Sequence, residues 1–248
     1  MLFVKILEFR IWNLEFGVNS KLKNLNSKFY VKLNFINQHL LFVHMEKPTK
    51  NPISVGKSIV IKTKNPTVLR VLDYTKSGVI DRKLTNVKEC FKFKNKASVS
   101  WINITGTPDT NFLNSLAKHF KLHHLTLGDL SNLEHRPKFE NLEDYLFLIL
   151  KLVYYDEIKK EVRTQQVGII LGQKFVLCFQ EKETDVFNKI IKRIKDSNDR
   201  IRRNSTDYLV YELVDSVINN YFIVLEKLED DLERIEKEVL QDPNEHTS

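Results

Sequence analysis

Only two cysteines, Cys90 and Cys178, occur in the 248 residues, so neither a disulfide framework nor a cysteine-rich zinc site can be built. Each reads as a small buried hydrophobe or a spare thiol of a reducing compartment. Glycine is also scarce, at seven residues, and no G-x-x-x-x-G-K-[ST], G-x-G-x-x-G or G-x-S-x-G occurs. That excludes the usual phosphate-cradling loops and the nucleophile elbow of serine hydrolases. No run of about 18 apolar residues is present, so no segment reads as a transmembrane helix. Met1 to Phe16 is interrupted by Lys5, Glu8, Arg10 and Glu15, which breaks the apolar core a signal peptide needs. The seven histidines are scattered, and His123-His124 are adjacent rather than four apart. They cannot share one helix face as paired metal ligands do, and with His119 they read as helix-end or packing residues. Glu143 and Asp144 are neighbours on an expected strand edge and make no acid/base pair. The chain does not read as an enzyme.

What is abundant is apolar and charged residues. Hydrophobic residues make up 42% of the chain, including 16 Phe and 8 Tyr, enough for a sizeable core. The formal net charge of +7 is unevenly spread: residues 1–50 hold eight Lys/Arg against three Glu. The excess sits in the least domain-like part, without a nucleic-acid-binding signature behind it, so nucleic acid is a disfavoured partner.

Residues 1–50 are rich in Asn, Lys, Phe and Leu without a steady period, and read as an N-terminal extension. Met45, just before a polar Pro-containing linker at 46–52, is an alternative translation start. From Ser58 the pattern alternates. Strands are expected at Ile59–Ile61, Val68–Leu72, Val79–Leu84 (after a Thr75–Gly78 turn) and Val99–Ile104. Asn86–Phe91 reads as a short helix. Asp109 or Thr110 caps a helix carrying Phe112, Leu113, Leu116, Ala117 and Phe120. A short helical run, Leu125–Leu130, stops at Ser131-Asn132 and is followed by a charged connector, Glu134–Lys138. Tyr145–Val153 is a nearly continuous apolar run, expected as a buried strand. Thr164–Leu171 and Lys174–Phe179, joined by Gly172-Gln173, read as a hairpin. Thr184 is placed to cap a helix beginning at Asp185. A basic patch from Lys189 to Arg203 reads as a solvated helix face, with an anion or acidic-partner surface as the alternative. From Thr206 to Leu240 there is neither Pro nor Gly, and apolar residues advance by three or four, so one long helix is expected, acidic from Glu226 onward. The fold class is therefore α/β (α+β): a mixed central sheet sandwiched by helices, then a long helical segment.

Several blocks, in order, resemble the CorA family of magnesium/cobalt channels. They include Val99–Gly106, His123–Lys138 with Arg136-Pro137-Lys138, Asp144–Phe147, Gln165-Gln166-Val167 with Phe179–Lys182, Asp185-Val186-Phe187, Arg200-Ile201-Arg202 and Asn220–Lys227. The resemblance covers about residues 65–245. It implies a CorA-like cytoplasmic α/β/α domain at 51–205 and an acidic helical segment at 206–248 leading towards a stalk. In the family a stalk helix, two transmembrane helices and a Gly-Met-Asn pore motif follow, and none of these lies within this sequence.

The resemblance also implies a homopentamer at the cytoplasmic face of the membrane, with full-length subunits as possible partners. Divalent metal, Mg2+ or Co2+, would bridge neighbouring domains through carboxylates matching Asp129 and Asp185. Hard Mg2+ suits such a site because it takes oxygen ligands and keeps several waters. The pattern departs from the family where Glu usually precedes the first Asp, here Gly128, and where His usually lies five residues later, here Glu134 with His135 beside it. The other reading is a soluble binding or modulator protein of the same descent, whose basic N-terminus contacts nucleic acid or anionic lipid.

Overall fold

The computed structural model describes residues 65–241. The expectations for residues 1–50, Ile59–Ile61 and the linker at 46–52 lie outside the described residues.

Seven strands form one mixed sheet: β1 (Val68–Tyr74), β2 (Val79–Leu84), β3 (Val99–Thr105), β4 (Lys138–Asn141), β5 (Leu146–Asp156), β6 (Glu161–Leu171) and β7 (Phe175–Gln180). Their spatial order is β2-β1-β3-β7-β6-β5-β4. Only β3 and β7 run parallel, with Trp101 opposite Val176 and Ile102 opposite Leu177; the other five pairings are antiparallel. Among the described residues four α-helices occur, α1 (Thr110–Phe120), α2 (His124–Ser131), α3 (Asn188–Lys195) and α4 (Thr206–Gln241), with 3-10 turns at Val87–Phe93, Asp185–Phe187 and Arg200–Arg203.

The central strands are apolar on both faces, because helices cover both. Every residue of β7 is buried, as are Leu146–Leu150 of β5. On one face Val71, Ile102, Phe147, Ile149 and Leu177 pack with Leu113, Leu116 and Phe120 of α1. The opposite face carries α4, which lies along β5, β6 and β7. Trp101, fully buried, meets the Phe187 ring edge-on at 5.9 Å on the way into α3. Two glycines permit close approaches. Gly106 ends β3 at φ +106°, where a Cβ would strike the Pro66 carbonyl oxygen at 2.3 Å. Gly168 of β6 leaves room for Leu130 of α2, whose Cδ2 would stand 2.3 Å from an added Cβ.

Several local expectations need correction. The charged connector ends in strand β4, which pairs Lys138 with Ile149 and Asn141 with Leu146. It has only four residues and no apolar alternation, so its own sequence carried no strand signal. Glu143 and Asp144 lie in the turn between β4 and β5 rather than on a strand edge. The short helix after Asn86 is a 3-10 turn, which Asn86 caps by accepting from the Glu89 amide at 3.2 Å. Thr184 makes no side-chain capping bond: a 3-10 turn intervenes, and α3 begins only at Asn188.

The basic patch is not a uniformly solvated face. Arg193 donates from Nε to Asp199 at 2.8 Å and from Nη1 to Glu212 at 2.5 Å, pinning α3 to α4. Hydrogen bonding by Asp199 and then Glu212 raises the Arg193 pKa against the opposing effect of burial. Lys195 pairs with Asp81 at 2.7 Å, and Asp81, bonded above all to Arg70, has its pKa pulled down to about 2. Both cysteines are buried, and burial pushes each thiol up to about 12, so neither is a ready nucleophile.

Candidate functional site

Asp129 sits in the last turn of α2. The helix is capped by His123, whose Nδ1 accepts from the Leu125 amide at 3.3 Å. Tyr145 at the start of β5 holds the same corner, its hydroxyl accepting from the His123 amide at 2.9 Å and lying 2.8 Å from Thr126 Oγ1. Leu130, seated in the Gly168 notch, fixes α2 on the sheet and so aims its neighbour Asp129.

The Asp129 carboxylate is not free. Lys138 Nζ donates to Oδ2, and His135 Nε2 lies 3.1 Å from Oδ1. The same ammonium lies 3.0 Å from Glu140 Oε1. Lys138 therefore stands between two carboxylates, in the position a cation bound there would take. Burial works to lower the Lys138 pKa, but hydrogen bonding by Asp129 and Glu140 outweighs it and the net change is upward. His135 thus supplies, one residue later, the imidazole that the family pattern leads one to expect at Glu134. At Gly128, a Cβ would meet nothing within 4 Å, so space does not explain the missing carboxylate.

Asp185 opens the 3-10 turn after β7 and is exposed, accepting from Asn188 Nδ2. It borders an open groove of about 690 Å3 between the end of β5, the segment after β7 and the middle of α4. Five carboxylates line the groove, Glu157, Glu183, Asp185, Glu226 and Asp230, against Lys189 and Lys227. Reading Asp185 alone missed these partners. The available signal was the four-residue spacing of Glu226 and Asp230, which places both on one helix face. Tyr155 donates to Asp231 at 3.0 Å and receives Lys227 over its ring at 5.5 Å, tying the β5 end to α4.

No hydrogen bond, ion pair or common groove joins Asp129 to Asp185 among the described residues. They are linked through the sheet. Gln166 Nε2 donates to the Asp129 carbonyl at 3.3 Å, and the Gln166 amide donates to Glu181 Oε1 at 2.8 Å. The Lys182 amide donates to Gln165 Oε1 at 2.9 Å. Two buried glutamines of β6 thus hold α2 on one side and the segment leading to Asp185 on the other. Among the described residues no three His, Cys, Asp or Glu side chains converge on one point. The carboxylate oxygens suit a hard, hydrated divalent cation, but one chain supplies too few of them for a closed site.

A seven-stranded mixed sheet between helical layers, extended by one long acidic helix, defines an α/β/α domain. The family model described as "CorA-like Mg2+ transporter protein" matches residues 96–248, and the chain belongs to that family. It is 37% identical over 179 residues to the cobalt/magnesium transport protein CorA of Thermotoga maritima, covering 72% of this chain and 51% of that one. It is 29% identical over 137 residues to the putative metal ion transporter YfjQ of Bacillus subtilis, covering 55% and 41%. The chain spans about half the length of the curated relatives it matches. In three dimensions it resembles the soluble domain of CorA from Methanocaldococcus jannaschii, with a TM-score of 0.54 at 18% identity over 72% of this chain and 67% of that one. It also resembles the full-length CmaX protein, with a TM-score of 0.59 at 11% identity over 75% and 57%. No helix among the described residues is long and apolar enough to cross a membrane.

Proposed function

We propose that the chain is the cytoplasmic, divalent-metal-sensing domain of a CorA-type magnesium/cobalt channel, working in a homopentamer with Asp129 and Asp185 as bridging carboxylates. Family membership supports the reading. The observation that carries it is the placement of the two carboxylates: each is presented at the surface, each is incomplete as a metal site, and buried Gln165 and Gln166 brace both segments. Apposed on neighbouring subunits, such carboxylates repel by about 4 kcal/mol per pair at 4 Å and effective ε near 20, before screening. A divalent ion removes that repulsion, so its loss loosens the assembly. Asp185 is open to a hydrated ion. Asp129 binds metal only by displacing or sharing with Lys138. In this reading the role of the domain is to sense the ion.

The test is titration of the assembled chain with Mg2+ at fixed ionic strength, by calorimetry, beside the Asp129→Ala plus Asp185→Ala variant. Saturable heat lost in the variant supports the reading; equal heat in both removes these residues from it. A second reading, a modulator that packs on another helix, is favoured by the exposed Leu225, Leu232 and Ile235 of α4. Sedimentation with and without Mg2+ separates the two: metal-independent association belongs to the second.

A further inference from the structure

On the sheet end remote from the acidic groove, the N-terminus of α4 opens onto a cavity of about 300 Å3. It lies between the β1–β2 turn, the residues leading into β3, the β6–β7 turn and segment 202–206. Three features there keep donor capacity that no hydrogen bond from a described carboxylate fills, although the Asp207 charge acts on Tyr74. Arg202 is only 4% exposed, yet its guanidinium donates to neutral carbonyls alone: Thr75 at 2.6 Å, Ile194 at 3.0 Å and Lys76 at 3.4 Å. No carboxylate among the described residues forms an ion pair with it, and two of its five N–H donors remain. Carbonyl dipoles orient a buried cation but do not cancel its charge.

The second feature is Tyr74, which is 1% exposed, borders the cavity and has a hydroxyl without a hydrogen-bond partner. Buried hydroxyls are seldom left so. The third is α4 itself, 36 residues long, whose first-turn amides have no partner within the helix and whose dipole favours an anion. Nearby acceptors are otherwise engaged. Ser205 donates to Asp207, which does not border the cavity, and Thr206 Oγ1 donates to Gly172 O at 3.1 Å. Exposed Lys76, Lys174 and Arg203 ring the mouth.

We propose that this cavity binds a phosphate group, free or as the head of a small phosphomonoester. Arg202 is its buried counter-charge, the Tyr74 hydroxyl and the α4 amides are its donors, and Lys174 and Arg203 guide it in. A tetrahedral dianion carries enough acceptors for donors of all three kinds, and the volume leaves room for a small organic substituent. None of these residues belongs to the metal reading, so the site stands or falls apart from it.

The test uses the full chain, with thermal unfolding in sodium phosphate against sodium chloride at equal ionic strength, and calorimetric titration with inorganic phosphate and with glycerol 3-phosphate. A saturable, phosphate-specific rise in midpoint is expected. Tyr74→Phe should leave the phosphate-free midpoint unchanged or higher while weakening phosphate binding about tenfold, the loss of one charge-assisted hydrogen bond. Lys174→Ala plus Arg203→Ala, two exposed positions, should weaken it further with the fold intact. Tighter binding of glycerol 3-phosphate assigns the cavity to a phosphorylated metabolite, and equal or weaker binding assigns it to inorganic phosphate. Absence of saturable binding at millimolar phosphate, an equal effect of chloride, or full binding by Tyr74→Phe overturns the proposal.

Discussion

Replacing Lys138 with Met keeps the aliphatic stem and removes the ammonium from between Asp129 and Glu140. At about 4 kcal/mol per unit pair at 4 Å and effective ε near 20, the gross attraction is large. Most of it is offset by desolvation and solvent screening. The Lys138 and Asp129 side chains are 22% and 21% exposed, and Glu140 is 43% exposed. The pair therefore falls between a surface pair and a buried one, and Lys138→Met should cost about 1–2 kcal/mol at neutral pH. That is a fall in Tm of roughly 2–8 °C for a domain of this size. The two freed carboxylates then accept a divalent ion in the ammonium's place. With Mg2+ at ten times its Kd, binding restores about 1.4 kcal/mol. Thermal unfolding in MgCl2 against NaCl at equal ionic strength should show Mg2+ rescuing the variant and moving the wild type much less. The Lys138 pKa is raised, so its contribution is fully present below the ordinary lysine value of about 10.4 and is lost as pH rises through the higher folded value. The wild-type advantage should accordingly stay flat from pH 6 to about 9. No loss of stability, or equal Mg2+ responses, would refute the placement of Lys138 as the resident cation.

Three further outcomes follow from the same geometry. Asp73, 5% exposed, accepts from Ser98 at 2.5 Å, Ser100 at 2.7 Å and Lys96 at 2.8 Å. Asp73→Asn should cost about 2–3 kcal/mol in urea unfolding. Burial alone would raise the Asp73 pKa, but the bonds from Lys96, Ser98 and Ser100 lower it. Its stabilisation is thus complete above about pH 4 and lost as pH falls through the depressed value; a cost that titrates near neutrality would contradict this account. Arg193→Ala strips the close ion-pair partner of Glu212, 8% exposed, leaving Arg200 at 3.9 Å as its remaining ion pair among the described residues, and should cost about 2–3 kcal/mol by the same assay. Gly128→Ala should stabilise by about 0.5–1 kcal/mol, because the position is helical and open; a lower Tm would mean that α2 needs the glycine.

The elements with strong periodicity were legible from the sequence because burial on two sides leaves a simple signature. β5 and β7 are apolar runs since helices cover both faces, and α1 carries its core residues at helical spacing with Asp109 as cap, accepting from the Phe112 amide at 2.7 Å. β4 was not legible, because an edge strand of four residues is defined by its partner β5. Asp129 and Asp185 were named through the family resemblance. Their surroundings were not, because Lys138 and Glu140 reach Asp129 only once β4 has paired with β5. Arg202 looked like one more surface base in a run of them. Only the fold shows its side chain turned inward between the β1–β2 turn and the end of α3.

The long helix shows most sharply why period and burial are separate facts. Its apolar residues keep a spacing of three or four from Leu209 through Ile235, and nothing in that pattern changes along the way. The structure divides it. Thr206 is anchored at the β6–β7 turn, Tyr221 donates to the Lys151 carbonyl at 2.6 Å, and Tyr155 reaches Asp231 at the far end of β5. Up to Val224 the stripe lies on the sheet and is buried, with Leu209, Leu213 and Val217 at 2% exposure or less. Past the end of β5 the helix continues for about ten residues, roughly 15 Å, with no sheet beneath it among the described residues. Leu232 is there 67% exposed and Ile235 49% exposed. Strand length, not helix sequence, sets where the core stops. The overhanging turns therefore present an apolar stripe flanked by carboxylates, a surface whose complement is an apolar helix face with basic edges.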